Sequence, residues 1–180
     1  MIYMFLAQGF EETEALAPLD ILRRAGLEVK TVGIGGDLIT GAHGITVKAD
    51  MPDVLFRDSN PDMVILPGGM PGTKNLDASP VVETALDAAY RADAFIAAIC
   101  AAPMVLGKRG LLNQKRAICY PGFEKFLDGA FLADRRVVRD GKIITAAGMG
   151  VAVQFGLELV RALRDDETAE NIRAAILADN

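Results

Sequence analysis

Phe95-Ile-Ala-Ala-Ile-Cys-Ala-Ala-Pro103 is the stretch that decides how this sequence folds. Phe95 to Ile99 is short and wholly apolar, as a central parallel strand covered on both faces must be. Pro103 suits the first turn of a helix, where a missing N–H costs nothing. Together they predict a strand running straight into a helix, with Cys100 at the junction. A side chain on such a turn projects from the carboxyl edge of the sheet, toward the N–H groups of the first helical turn. That field favours thiolate over thiol and makes Cys100 a candidate nucleophile or redox centre. A free cysteine is also a common buried packing residue, and position alone leaves both readings open.

Upstream of this elbow, Pro61 to Leu66 reads as a buried strand that ends in Pro67-Gly68-Gly69-Met70-Pro71-Gly72. Paired glycines there let backbone N–H groups approach a ligand closely. Ser79 and Pro80 then cap a helix to about Ala92. At the start of the chain, Ile2 to Ala7 is an apolar strand, turned at Gly9 into a segment opened by Glu11, Glu12 and Glu14. These acids complement the positive end of a helix running to about Ala25, with Gly26 as its stop and Pro18 expected to bend or divide it. Glu11 and Glu12 read as solvated dipole partners, whereas Glu14 shares a face with apolar Ala17 and Ile21. Leu27 to Gly33 is a further strand, and the glycines that follow it, Gly33-Ile-Gly-Gly36, stand in the wrong place for a dinucleotide fingerprint. Ile45 to Lys48 alternates like a hairpin edge, and His43 lies in the loop before it, where a histidine is ordinarily only solvated.

Downstream, Arg116 to Cys119 reads as a short strand ending at Tyr120, and Val137 to Ala146 as a hairpin broken at Asp140-Gly141. Gly148 and Gly150 place bare backbone before an amphipathic helix to Leu163, and Asp165-Asp166-Glu167 lead a last helix through Leu177. Strands alternating with helices predict an α/β fold, a three-layer, doubly wound and mostly parallel sheet with ligands at its carboxyl edge. The segments ending at Gly9, Gly68-Gly69, Cys100 and Tyr120 converge on that edge, which favours a functional Cys100.

Composition bounds the alternatives. The 180 residues are one domain's worth, 1–180, with a sizeable core. With 19 basic against 24 acidic residues the formal charge is −5, and the scattered basic residues argue against a nucleic-acid partner. No apolar run is long enough for a membrane span, and the N-terminal run, with no basic residue ahead of it, does not resemble a signal peptide. Two cysteines without CxxC spacing suggest reduced thiols and a cytoplasmic location rather than disulfides or zinc. The single histidine argues against a histidine-rich metal site, and no cofactor motif is present, so neither metal nor cofactor is expected.

A serine-hydrolase reading fails, because no Gly-x-Ser-x-Gly elbow exists and Ser59 and Ser79 fall in turns read as surface. A papain-like dyad would need a histidine base, and only His43 is available. Glu14 could be the neighbour of Cys100 if the first strand-to-helix junction lies beside the elbow. Buried near a thiolate, such an acid would be protonated and could donate a hydrogen bond to sulfur.

Gly-Phe-Glu-Glu-Thr-Glu (9 to 14), Val-Ile-Leu-Pro-Gly-Gly (64 to 69), Ala-Ala-Ile-Cys-Ala-Ala-Pro (97 to 103) and the Gly-x-Gly at 148 to 150 resemble the ThiJ/PfpI superfamily, in its parkinsonism-linked DJ-one branch. The likeness covers nearly the whole chain. It implies a flavodoxin-like, class I glutamine amidotransferase-like fold and a homodimer. It also implies that Cys100 is paired with a protonated Glu14, and that the N–H groups of Gly69 and Ala101, with Gly68 beside them, form an anion pocket around sulfur. Tyr120 stands where many members have a histidine, Ala147 where the usual arginine precedes Gly148, and His43 where a hairpin arginine would be. Loss of the arginine at 147 removes a local positive charge.

Members of the family are linked to glutathione-independent glyoxalase and deglycase activity on 2-oxoaldehydes and their adducts, to oxidative-stress protection and to chaperone-like activity. Two functions are therefore carried forward. One is cysteine-dependent chemistry on a reactive aldehyde, with Cys100 adding to the carbonyl and Glu14 moving protons. The other is oxidation sensing, in which Cys100 becomes a sulfinate held by the pocket. Cys119 reads as a packing residue, with a resolving thiol as the alternative.

Overall fold

The computed structural model describes residues 1–57 and 60–178. In chain order the strands are β1 (Ile2–Leu6), β2 (Val29–Gly33), β3 (Leu38–Thr40), β4 (Thr46–Lys48), β5 (Met51–Pro52), β6 (Met63–Leu66), β7 (Phe95–Ile99), β8 (Arg116–Ala117), β9 (Phe131–Leu132), β10 (Val137–Asp140) and β11 (Ile143–Ala146). The helices are α1 (Glu12–Arg24), α2 (Gly72–Asp77), α3 (Pro80–Arg91), α4 (Pro103–Lys108), α5 (Ala152–Leu163) and α6 (Asp166–Ala175). Seven strands form one sheet in the order β10-β11-β7-β6-β1-β2-β5, parallel throughout except for the β10–β11 hairpin at its edge.

Apolar strands with two buried faces divide their side chains by parity. Ile2, Met4 and Leu6 of β1, with Phe95, Ala97 and Ile99 of β7, pack under α1 and α5. Tyr3 and Phe5, with Ile96 and Ala98, pack under α3 and α4 on the other face. The result is the three-layer, doubly wound sheet that the alternation of elements implies. From β1 the chain winds outward to β2 and β5, then returns to lay β6 on the opposite side of β1. The sense of winding therefore reverses between β1 and β6, and a crevice opens there at the carboxyl ends of both strands.

Several local expectations change. Pro18 does not divide α1, which is continuous from Glu12 to Arg24. A Cβ on Gly156 of α5 would lie 3.0 Å from Pro18 Cα and 2.8 Å from Ile21 Cδ1, so close packing on α5 holds the helix across the proline. The strand expected at Arg116 to Cys119 shrinks to β8, which pairs with β9 outside the main sheet. Helix α2 follows the glycine-rich turn, where the sequence signals only a turn. Ser79 is a buried N-cap accepting from the Val82 N–H rather than a surface residue, and Ser59 lies outside the described residues. The last helix stops at Ala175, and Leu177 adopts a left-handed φ of 56°. Among the described residues, no helix is long and apolar enough to cross a membrane.

Candidate functional site

Cys100 directly follows β7 at a φ of +63°, a conformation that costs a non-glycine residue free energy and that the surrounding hydrogen bonds must hold. Its N–H donates to Ala146 O at 2.8 Å, extending the β7–β11 ladder by one step. Its own carbonyl accepts the Tyr120 N–H at 2.8 Å, and the Ala102 N–H closes the turn on Ile99 O at 3.1 Å. Pro103 then opens α4 at its first position. The elbow read from sequence is thus present, with Cys100 half-buried at its apex.

The turns after β1 and β6 are stitched together beside it. The Glu11 N–H donates to Gly68 O at 2.9 Å and the Gly72 N–H to Gly9 O at 3.0 Å. No side chain fits between them. A Cβ on Gly69, whose φ is +90°, would overlap the backbone at Phe10 and Glu11. Gly68 is equally confined, since a Cβ there would overlap the Glu14 carboxyl oxygen and stand 2.7 Å from Cys100 Cβ. This absence of a side chain lets the carboxyl group and the sulfur meet.

Glu14, only 1% exposed, lies one turn into α1. Its Oε2 accepts the Gly68 N–H at 3.0 Å, and its carboxyl hydrogen-bonds the Cys100 thiol. Burial pushes this carboxyl up to about 7 from an ordinary 4.5; the Glu11 charge adds to the rise, while Cys100 and the backbone of Gly68 and Met149 oppose it. Burial likewise pushes the Cys100 thiol up to about 12, with the Glu14 charge and hydrogen bond adding to it. The N–H groups of Ala101 and Gly69 pull the thiol the other way, toward thiolate.

Backbone N–H groups alone therefore do not ionise Cys100, contrary to what the elbow by itself suggests. Two like charges in one buried pocket repel, so the pair carries one negative charge far more readily than two. Glu14 is the group placed to take up the thiol proton.

Gly148 closes the other side of the pocket: a Cβ there would lie 3.3 Å from the Tyr120 ring and 3.9 Å from Glu14 Oε1. Tyr120 is 51% exposed at the mouth. Glu14, Gly68, Gly69, Cys100, Ala101, Tyr120 and Gly148 are thus brought together, as the sequence reading anticipates. His43 stands apart, its ring nitrogen Nδ1 2.9 Å from Glu12 Oε2. Cys119, 2% exposed, packs in the apolar layer under α3 and α4, where burial first and then Glu124 push its thiol up to about 11.

Glu11 and Glu12 are not simple solvated acids. Glu11 is the N-cap of α1, accepting the Glu14 N–H at 2.6 Å. Glu12 is buried, and its Oε1 accepts the His43 N–H at 2.8 Å and the Ile45 N–H at 3.4 Å. Burial alone would raise the Glu12 carboxyl, yet the His43 ring and these N–H groups hold it below the ordinary value. Glu11, Glu12 and His43 also offer one ligand atom each within 4.8 Å of one another, the one such group of metal-ligating side chains among the described residues. Nothing in the helical period of α1 signals the role of Glu12, because its partners come from a hairpin some thirty positions away.

A family-wide sequence profile, that of the DJ-1/PfpI family, matches residues 1–162. The chain belongs to this family. Protein dj-1beta of Drosophila melanogaster is 33% identical over 177 residues, covering 97% of this chain and 95% of that protein. The glutathione-independent glyoxalase DJR-1.2 of Caenorhabditis elegans is 31% identical and covers 90% of this chain and 87% of its own. Among solved structures, oxidised DJ-1 of Toxoplasma gondii superposes with a TM-score of 0.95 at 32% identity, covering 99% of this chain and 98% of that one. The flavodoxin-like fold implied by the family resemblance is therefore established.

Proposed function

We propose that this DJ-1/PfpI protein converts small 2-oxoaldehydes, free or as adducts, to hydroxy acids without a cofactor, using Cys100 as nucleophile and Glu14 as proton carrier. The observation that carries this reading is the hydrogen-bonded Cys100–Glu14 pair, with Gly69 and Ala101 N–H groups directed at the sulfur. The glyoxalase named among its relatives supports it.

The chemistry closes without an outside oxidant. The Cys100 sulfur adds to the aldehyde carbon, and the carbonyl oxygen takes the proton from Glu14, giving a hemithioacetal. The Glu14 carboxylate then removes the proton from that carbon, the electrons pass to the neighbouring carbonyl, and the hydroxyl proton shifts to that carbonyl's oxygen, giving an enediolate. Return of a proton to the neighbouring carbon yields a thioester of the 2-hydroxy acid. Water cleaves the C–S bond and restores the thiol. The Gly69 and Ala101 N–H groups, facing the sulfur, stabilise the thiolate at the start and the end of the cycle.

Lactate formation from methylglyoxal is the test: turnover falls to background in Cys100→Ser and by at least about a hundredfold in Glu14→Gln. Undiminished turnover in Cys100→Ser sinks the reading. The pH profile of Cys100 alkylation is an independent check, with a rise as Glu14 loses its proton near pH 7 and becomes able to take that of the thiol; a thiol that reacts only near pH 12 is no nucleophile.

The same N–H groups favour a second reading, oxidation sensing, in which peroxide takes the Cys100 thiolate to the sulfenate with release of water, and a second peroxide gives the sulfinate with release of another water. Mass spectrometry after mild peroxide should find the added oxygens on Cys100 ahead of Cys119 and the methionines; equal spread sinks it. We further propose, from family membership, that the protein works as a homodimer, which light scattering at micromolar concentration checks.

A further inference from the structure

A cleft of about 410 Å³ opens beside the Cys100 pocket, lined by Tyr120, Pro121, Arg136, Ala147, Gly148 and Met149. It adjoins the reacting centre through Gly148, where a Cβ would touch the Tyr120 ring on one side and approach Glu14 Oε1 on the other. Its walls are largely apolar, and Arg136 is the one cation among its lining residues. Arg136 is exposed and has no ion-pair, side-chain hydrogen-bond or ring partner among the described residues. Its place is nevertheless fixed, because its carbonyl accepts the Ala147 N–H at 2.8 Å just ahead of β10.

An unpaired guanidinium lining an apolar cleft that adjoins the Cys100 pocket through Gly148 suits a ligand with a short apolar body, an aldehyde at one end and an anion at the other. We infer that Arg136 is a specificity-determining residue that binds the carboxylate of an acidic aldehyde substrate while its carbonyl carbon meets Cys100. The positive charge absent at Ala147 is thereby supplied from the neighbouring hairpin. The inference rests on Cys100 as the reacting centre and deepens it by naming a substrate class: aldehydes bearing a carboxylate.

The experiment uses succinic semialdehyde and butanal, which have equal chain length and differ in the terminal carboxylate. Each forms a reversible hemithioacetal, the sulfur bonding to the aldehyde carbon and the thiol proton passing to its oxygen, and so protects Cys100 from iodoacetamide. The wild-type protein should be half-protected by the semialdehyde at about fivefold lower concentration than by butanal, the scale of an exposed charge pair. Arg136→Gln should abolish that preference, Arg136→Lys should keep part of it, and butanal should protect all three alike. No preference in the wild type, or an intact preference in Arg136→Gln, overturns the inference. Binding of unreactive succinate to Cys100→Ala, read from the amide shifts of Ala147 and Gly148, separates the two ideas. An inert Cys100 removes the proposed chemistry, whereas succinate shifts that are equal with and without Arg136→Gln remove the role of Arg136.

Discussion

At Gly68 a single absent carbon decides whether the site exists. The carboxyl of Glu14 and the Cβ of Cys100 both crowd the position a side chain would take, and the Ile99 carbonyl closes the third direction at 2.9 Å. None of the three has room to yield, since Glu14 is buried and bonded to the Gly68 N–H, and Ile99 and Cys100 sit in the central strand and its elbow. Gly68→Ala should therefore cost about 1–3 kcal/mol in urea unfolding, as overpacking does elsewhere. It should also separate the acid from the sulfur. Alkylation of Cys100 in Gly68→Ala should then lose the rise near pH 7, because a thiol without its proton partner ionises alone. A variant as stable as the parent, with the same alkylation profile, would show that the contact is slack.

At the scale of elements, the hairpin of β3 and β4 is tied to α1 by one acid. Glu12 receives two N–H groups and the imidazole of the 43–45 segment, and Gly41 lies so close to that carboxyl that a Cβ would overlap it. The Ala42 N–H adds a bond to Phe10 O at 2.7 Å, and the Gly9 N–H reaches Thr40 O at 2.8 Å, so the hairpin braces the turn that delivers Glu14. Glu12→Ala leaves the two N–H groups without their acceptor and should destabilise by about 1–3 kcal/mol. Hydrogen exchange at His43 and Ile45 should quicken at the same time. His43→Ala should do much less, since the ring is 70% exposed while the backbone donors remain. Equal effects of the two substitutions would mean that the ring, not the backbone, is the anchor. This latch marks the limit of what the sequence shows. β1, α1, β6, α3, β7 and α5 are legible because parity, caps and Pro/Gly punctuation are local signals. Glu12 and the pairing of β8 with β9 are not, since both depend on contacts between segments distant in the chain.

For the molecule as a whole, the convergence of the ends of β1, β6 and β7 on one edge follows from winding both ways from β1, and it is why a site assembled from residues 14, 68 and 100 is legible in the sequence, whereas the segment ending at Tyr120 reaches that edge from outside the main sheet. What composition cannot foretell is the free energy stored in that convergence. Glu14 titrates near 7 in the folded chain against 4.5 for an ordinary carboxyl, so the folded state holds this proton more tightly than the unfolded one. A raised carboxyl has the opposite sign to a salt-bridged one: its contribution is most favourable below pH 4.5 and is lost as pH climbs to about 7. A shift of this size corresponds to about 3 kcal/mol of global stability. Glu12, Asp50 and Asp77, held below their ordinary values despite burial, act in the reverse direction and in a lower range of pH. They are common to parent and variant and cancel in the difference. The Cys100 thiol, pushed up to about 12, contributes only above pH 9. Glu14→Gln cannot ionise, so its stability relative to the parent should rise by about 3 kcal/mol between pH 4 and pH 8, with most of the change between pH 5 and 7. Urea unfolding of both proteins across that range reads the difference directly. Parallel curves would mean that Glu14 ionises as freely in the folded protein as in the unfolded chain, and that the pocket exerts no hold on its proton.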